Sequence, residues 1–287
     1  MLCSSEALYG ITNSHIEKLE QVDRMFFRRL FQVPNCTAIE AFYLETSSLP
    51  IRYLLMGRRL IYLWDILNKN ESELVRKVFN SQKEFYVKHD WAQQVKQDLI
   101  ECGIDLTDEE IACMKRISFK KLVTEKIKRI AARYLISQKL QHSKSEHLIY
   151  SENMQPYLRN ESLKIEEKKL MFKIRNRLID VKSNFKKKYK NNLICSLCEM
   201  AEESQSHLVN CTVILSDSSI KSALEQYTYS DLFSENLKTQ AHMINTFNKI
   251  MKFRTFLLNK EDNSSSQASP DLSGASYTVM HSVRQWI

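Results

Sequence analysis

The sequence predicts a mainly α-helical protein, a bundle-like array of helices, and three observations carry that reading. Only four glycines, Gly10, Gly57, Gly103 and Gly274, occur in 287 residues, well below the roughly 7% of an average chain. That scarcity removes the turn chemistry of a many-stranded protein and the glycine clusters of phosphate-cradling loops. Apolar residues, 43% of the chain, recur at three- and four-residue steps over long stretches. Helix-start signals, a short polar residue followed three positions later by Glu or Gln, punctuate those stretches.

Taken in order, Ser14-His15-Ile16-Glu17 has the spacing of a capping box, in which hydroxyl and carboxylate satisfy two free amides reciprocally. The helix it opens sets Ile16, Leu19, Met25, Phe26 and Leu30 on one side, and Pro34 marks its end. Thr37-Ala38-Ile39-Glu40 repeats the signal for a short second helix. Pro50 suits a first helical turn, and Leu54, Leu55, Arg58, Tyr62 and Ile66 run down one amphipathic face beyond it. Asp90 and Thr107 read as two more N-caps, with Gly103 as a helix terminator between them. A helix from Ser118 places Leu122, Ile127, Ile130 and Tyr134 inside and its lysines and arginines outside. Residues 142–160 read as a connector with a short strand or extended piece. Leu170, Ile174, Leu178, Val181, Phe185 and Tyr189 predict one basic helix over 163–190, and a last helix is expected between Asn236 and Leu258. The tail from Glu261, rich in Ser and carrying Pro270 and Gly274, predicts disorder. The chain thus divides into a helical region (1–112), a basic helical region (113–192), a ligand-bearing segment (193–212), a C-terminal helical region (213–260) and a tail (261–287).

The net charge of +8, with a pI near 9.0, is concentrated. From Leu163 to Lys190 eleven basic residues face three acidic ones, a surplus equal to that of the whole chain. From Phe119 to Leu140 seven basic residues face one acid. The candidate phosphate contacts are Lys173, Arg175, Arg177, Lys182, Lys186, Lys187, Lys188 and Lys190, a cluster able to neutralise several RNA or DNA phosphates with counterion release. The helical spacing of Phe185 and Tyr189 places them in the core before it offers them as stacking platforms. Seven cysteines, an odd number, without a secretory signal at MLCSSEALYG, point to a reducing intracellular setting, nucleus or cytoplasm. No apolar run is long enough to cross a membrane.

The sharpest chemistry follows the lysine cluster. Cys195, Cys198, His207 and Cys211 form C-x2-C-x8-H-x3-C. The first pair has the separation at which a tight turn presents two thiolates to one ion, and the second lies one helical turn apart. Three sulfurs and one imidazole suit tetrahedral zinc, and four protein ligands leave no open position, so the site reads as structural, not catalytic. Glu199, Glu202 and Glu203 lie inside the loop but are unnecessary as ligands. The fold expected is therefore mainly α, with a small zinc-stabilised segment and a disordered C-terminal tail. Cys102 and Cys113 read as buried helix cysteines, Trp64 and Trp91 as core, and His142 and His147 as loop residues.

Three stretches, Leu8-Tyr9-Gly10, Ile16–Pro34 and Glu45–Leu67, precede KLMFKIRNRLIDVKSNFKKKYKNNLICSLC…H…C. This order resembles the region downstream of the polymerase in non-long-terminal-repeat (LINE-type, jockey-like) retrotransposon reverse transcriptases, over about residues 8 to 258. The resemblance implies a C-terminal zinc segment contacting template RNA or target DNA, with Cys195, Cys198, His207 and Cys211 as ligands. It also implies a polymerase portion encoded upstream or on another chain. Polymerases of this kind hold metal ions on adjacent aspartates, and no two adjacent aspartates occur here. The expectation is a non-enzymatic nucleic-acid-binding zinc module. The alternative is a structural or protein-interaction helical zinc protein.

Overall fold

Local signals fix many of the helix ends in the computed structural model, which describes residues 12–85, 90–141, 148, 151–190, 192–234 and 236–265. Asp90 Oδ1 accepts the Gln93 amide at 2.7 Å and starts the helix Trp91–Cys102; Gly103, at φ +60°, ends it. Thr107 and Glu110 exchange the two bonds of a capping box at 3.2 and 2.7 Å. Two other starts differ from expectation. The first helix is capped by Thr12, whose hydroxyl accepts the His15 amide, and not by Ser14 and Glu17. The second follows Ala38 without a side-chain cap. There the Thr37 amide is taken by Pro34 and its carbonyl by Arg28, which draws the residue inward and leaves its hydroxyl buried without a partner.

In chain order the helices are α1 (Asn13–Phe31), α2 (Ile39–Thr46), α3 (Ile51–Leu67), α4 (Leu74–Phe85), α5 (Trp91–Cys102) and α6 (Asp108–Cys113). They continue with α7 (Arg116–Lys139), α8 (Pro156–Arg159), α9 (Ile165–Arg175), α10 (Gln205–Leu208), α11 (Ser218–Leu224) and α12 (Leu237–Ser265). Among the described residues the only β pairing is one antiparallel bridge, Ile194 with Glu202. The described part of the 142–160 connector contains α8 and no strand. Helix α12 runs seven residues past the expected end at Leu258, into the segment read as tail; residues 266–287, and with them most of the disorder reading, lie outside the described residues.

Two hydrophobic cores organise these elements, and they cut across the five segments of the sequence. In one, α3 to α7 bury Tyr53, Met56, Leu60, Leu63, Phe79, Trp91, Val95, Ile111, Phe119, Val123 and Ile127. In the other, α1, α2 and α9 pack with the ligand-bearing segment and with α12, through Phe31, Phe42, Phe172, Leu208, Ile214, Met243 and Phe247. The ring of Phe172 stacks on Phe31 at 4.0 Å and on Phe42 at 5.3 Å, joining three helices distant in sequence.

The packed faces are rotated from those expected. On α1 the buried edge is Phe27 and Phe31, chosen by the stack, while Met25, Phe26 and Leu30 are exposed. On α3 the expected Leu55 and Ile66 are buried together with Tyr53, Met56, Leu60, Leu63 and Leu67, while Leu54, Arg58 and Tyr62 lie half-buried at the border. Trp91 is buried, as is Cys102, whose thiol burial pushes up to about 12; Cys113 is exposed.

The single basic helix over 163–190 does not form. Helix α9 ends at Arg175, where the Asn176 side chain bonds back to the Phe172 carbonyl at 2.8 Å. Arg177 adopts the left-handed conformation, φ 52°, and the Arg177 and Leu178 amides return to Ile174 and Lys173. This is a Schellman ending without its usual glycine. Leu178, Ile179 and Val181, just beyond this ending, all enter the core. A 3-10 turn, Lys182–Phe185, follows.

Arg175 closes this ending from inside. Its Nε lies 2.8 and 3.0 Å from the two Glu45 carboxylate oxygens, and Glu45 is fully buried. Burial raises the Glu45 carboxyl, with Arg175 opposing that shift. Removing Arg175 alone strands a buried carboxylate; Arg175→Ala should therefore cost about 3–5 kcal/mol in denaturant unfolding. The double variant Arg175→Met/Glu45→Leu should recover most of that loss.

Candidate metal centre

The ligand-bearing segment is built as a tight hairpin followed by a single helical turn. The Cys195 amide bonds to the Ala201 carbonyl at 2.8 Å, and the Glu203 amide to Leu193 at 2.7 Å. The Glu199 amide returns to the Cys195 carbonyl at 3.0 Å. That turn needs a left-handed residue, and Glu199 fills the position at φ 55°. Ser204 then caps α10 by accepting the His207 amide at 3.0 Å. Although α10 stops at Leu208, the Asn210 amide continues the turn onto the His207 carbonyl and brings Cys211 to the same side.

As a result the ligand atoms of Cys195, Cys198, His207 and Cys211 all lie within 4.8 Å of one another. Cys198 Sγ is 3.3 Å from His207 Nε2, close to the roughly 3.5 Å tetrahedral edge implied by metal–sulfur and metal–nitrogen bonds of about 2.3 and 2.0 Å. The cluster can hold a metal ion, and all four predicted ligands belong to it. Burial raises the Cys198 thiol, but the Met200 and Ala201 amides and the neighbouring Cys195 and Cys211 sulfurs outweigh it, so its net shift is downward. Burial pushes Cys211 up to about 11. Amide donors aimed at one sulfur favour its thiolate, the form that ligates.

The segment is not a pendant. Cys195 and Cys211 are 1% and 0% exposed, and Leu208, Val209 and Ile214 share their core. Glu203, passed over as a ligand, is buried and lies outside the cluster. Its Oε1 accepts from Arg254 of α12 at 2.5 Å, and its Oε2 from the Ser196 amide at 3.4 Å. Arg254 carries no local sequence signal for this role, because its partner is 51 residues away.

The eight cationic candidates separate into two groups. Arg175 is committed to Glu45 in the interior. Lys182 donates to the Ile194 carbonyl at 2.5 Å, and Lys188 is held by both Asp180 oxygens at 2.9 and 2.8 Å. Lys173 is half-buried. Arg177, Lys186, Lys187 and Lys190 are exposed and have no ion pair among the described residues. Hydrogen bonds sew this lysine-bearing segment to the hairpin and to α10: Ser183 N to the Glu203 carbonyl at 3.0 Å, and Asn184 Nδ2 to Gln205 Oε1 at 3.0 Å. Phe185 and Tyr189 are half-buried instead of core, Tyr189 donating to Asp180 at 2.8 Å.

Two outcomes follow from this geometry. Glu199→Gly relieves a left-handed side-chain conformation that costs about 1–2 kcal/mol, and after glycine's own entropy cost it should still stabilise the hairpin slightly; tighter metal retention in a chelator competition would read this. Cys198→Ser should speed hydrogen exchange across 193–215 and the packed face of α12, while amides in α3, α5 and α7 keep their protection. Loosening confined to the hairpin alone would contradict the shared core. Comparisons of the chain with protein-family models, with curated proteins and with solved structures find no match.

Proposed function

We propose that the protein is a zinc-dependent nucleic-acid-binding module without catalytic activity of its own. The observation that carries this reading is the convergence of three thiols and one imidazole beside four exposed, unpaired cations. Zinc fits the donor set, because soft sulfur with imidazole in a closed group of four is its usual structural environment. A bound ion supplies folding free energy to a segment whose hairpin has only one β bridge. Residues 182–190 bond to that hairpin at three places, so fixing it also fixes where Lys186, Lys187 and Lys190 project. Positioned cations of this kind contact phosphates and set orientation, without reading bases.

The order of basic segment and Cys/His cluster resembles the region downstream of the polymerase in non-long-terminal-repeat retrotransposon reverse transcriptases. That resemblance supports RNA or DNA as the partner, and a role beside a polymerase portion carried upstream or on another chain. Adjacent aspartates of the polymerase type have no counterpart in the sequence. Among the described residues no helix is long and apolar enough to cross a membrane.

Intact-mass measurement under native conditions should show one zinc per chain, lost on Cys198→Ser. In binding to single-stranded RNA or DNA, Lys186→Gln/Lys187→Gln/Lys190→Gln should flatten the dependence of log K on log salt by about two units, at roughly 0.7 per phosphate. Lys188→Gln alone should change it little, since Asp180 already occupies that ammonium. An unchanged slope in the triple variant would favour the structural reading, in which the metal only closes the helical array.

A further inference from the structure

We propose that the outer face of α7 is a separate phosphate-binding surface, which takes the backbone of a nucleic-acid duplex and does not depend on the metal centre. Helix α7 has 24 residues, about 36 Å of rigid rod, comparable with one turn of a duplex. Its inner side is committed: Phe119, Val123, Ile127, Ile130 and Ala131 are buried in the core formed with α3 and α5. Its cations divide sharply. Arg116 forms a two-point pair with Asp65 at 2.7 and 3.0 Å, and Arg129 pairs with Glu125 at 2.5 Å. Lys126 donates to the Gly103 carbonyl at 3.0 Å and Lys139 to that of Leu148 at 2.7 Å. Lys120, Lys121, Lys128 and Arg133 are exposed and have no such engagement among the described residues.

Those three lysines flank one side of the rod. They border a cleft of about 570 Å³, together with Ile117, Thr124 and the paired Glu125 and Arg129 of the helix and Glu152 of the following connector, so cations outnumber carboxylates there. Lys121 and Lys128 stand two turns apart, about 10 Å along the axis, so the cations spread along a line instead of converging on one small anion. Unpaired bases need aromatic platforms, and this face offers none, since Phe119 is buried and Tyr134 half-buried. A lipid surface needs a continuous apolar stripe; of the residues bordering the cleft only Ile117 is a large exposed apolar side chain. What is left is positive charge held on a rigid support over about 12 Å of helix, which suits the dense charge of a duplex backbone.

The surface belongs to the α3–α7 core, whereas the metal centre belongs to the other one; the two can therefore be tested apart. Binding of the full chain to a short DNA or RNA duplex is measured by fluorescence anisotropy against salt. Lys120→Gln/Lys121→Gln/Lys128→Gln should flatten the slope of log K against log salt by about 2.7 units, three phosphates at roughly 0.9 each, with at least a tenfold affinity loss at low salt. Gln matches Lys in helix propensity and the sites are exposed, so circular dichroism and melting should not change. The difference between parent and variant should persist in Cys198→Ser and in the presence of a chelator, even if the lysines beside the metal centre bind nothing. An unchanged duplex slope in a folded triple variant overturns the proposal. So does a loss seen with an acidic peptide or phosphatidylserine vesicles but not with duplex.

Discussion

The structure of the C-terminal half depends on one coincidence of burial and chemistry: two of the three cluster cysteines are core residues. Cys195 and Cys211 sit at the base of the hairpin and at the end of the turn after α10, both excluded from solvent. Packing of Leu208, Val209 and Ile214 against α12 brings the two chain segments together, and the same approach sets the sulfur and imidazole distances. Metal affinity and hydrophobic packing are consequently coupled, since each pre-organises the groups the other needs. The chain has no second β pairing among the described residues to hold this segment by backbone alone.

Three buried guanidinium–carboxylate pairs complete the frame. Arg59 with Asp98 joins α3 to α5, Arg175 with Glu45 joins α9 to α2, and Arg254 with Glu203 joins α12 to the hairpin. Each spans a long stretch of sequence, and each removes a cation from the surface. Such pairs give little net stability compared with apolar replacements, but they are directional. A planar fork meeting a carboxylate fixes register between helices that apolar contacts would let slide. The charge visible in composition is therefore larger than the charge available to a partner.

Two of the groups of exposed cations without an ion pair among the described residues lie one on each core. Arg177, Lys186, Lys187 and Lys190 project from an irregular segment whose course is set by the hairpin. Lys120, Lys121 and Lys128 project from a long regular helix. The physical difference lies in the support, not in the side chains.

Features decided within a few residues were legible from the sequence. The C-x2-C-x8-H-x3-C ligand set, the caps at Asp90 and Thr107 and the stop at Gly103 need only neighbouring atoms, so local spacing determines them. Tertiary structure decided the rest, because the deciding groups are far away in the chain. The stack of Phe172 on Phe31 and Phe42 chose the buried edge of α1. A left-handed break at Arg177 divides what periodicity alone reads as one basic helix, and Leu178, Ile179 and Val181 beyond it join the core. Glu45, 130 residues from Arg175, turned a candidate phosphate contact into an interior ion pair. Periodicity records which residues are apolar, and charge records which are ionised. Neither records which partner will arrive, and that is settled only when the chain folds back on itself.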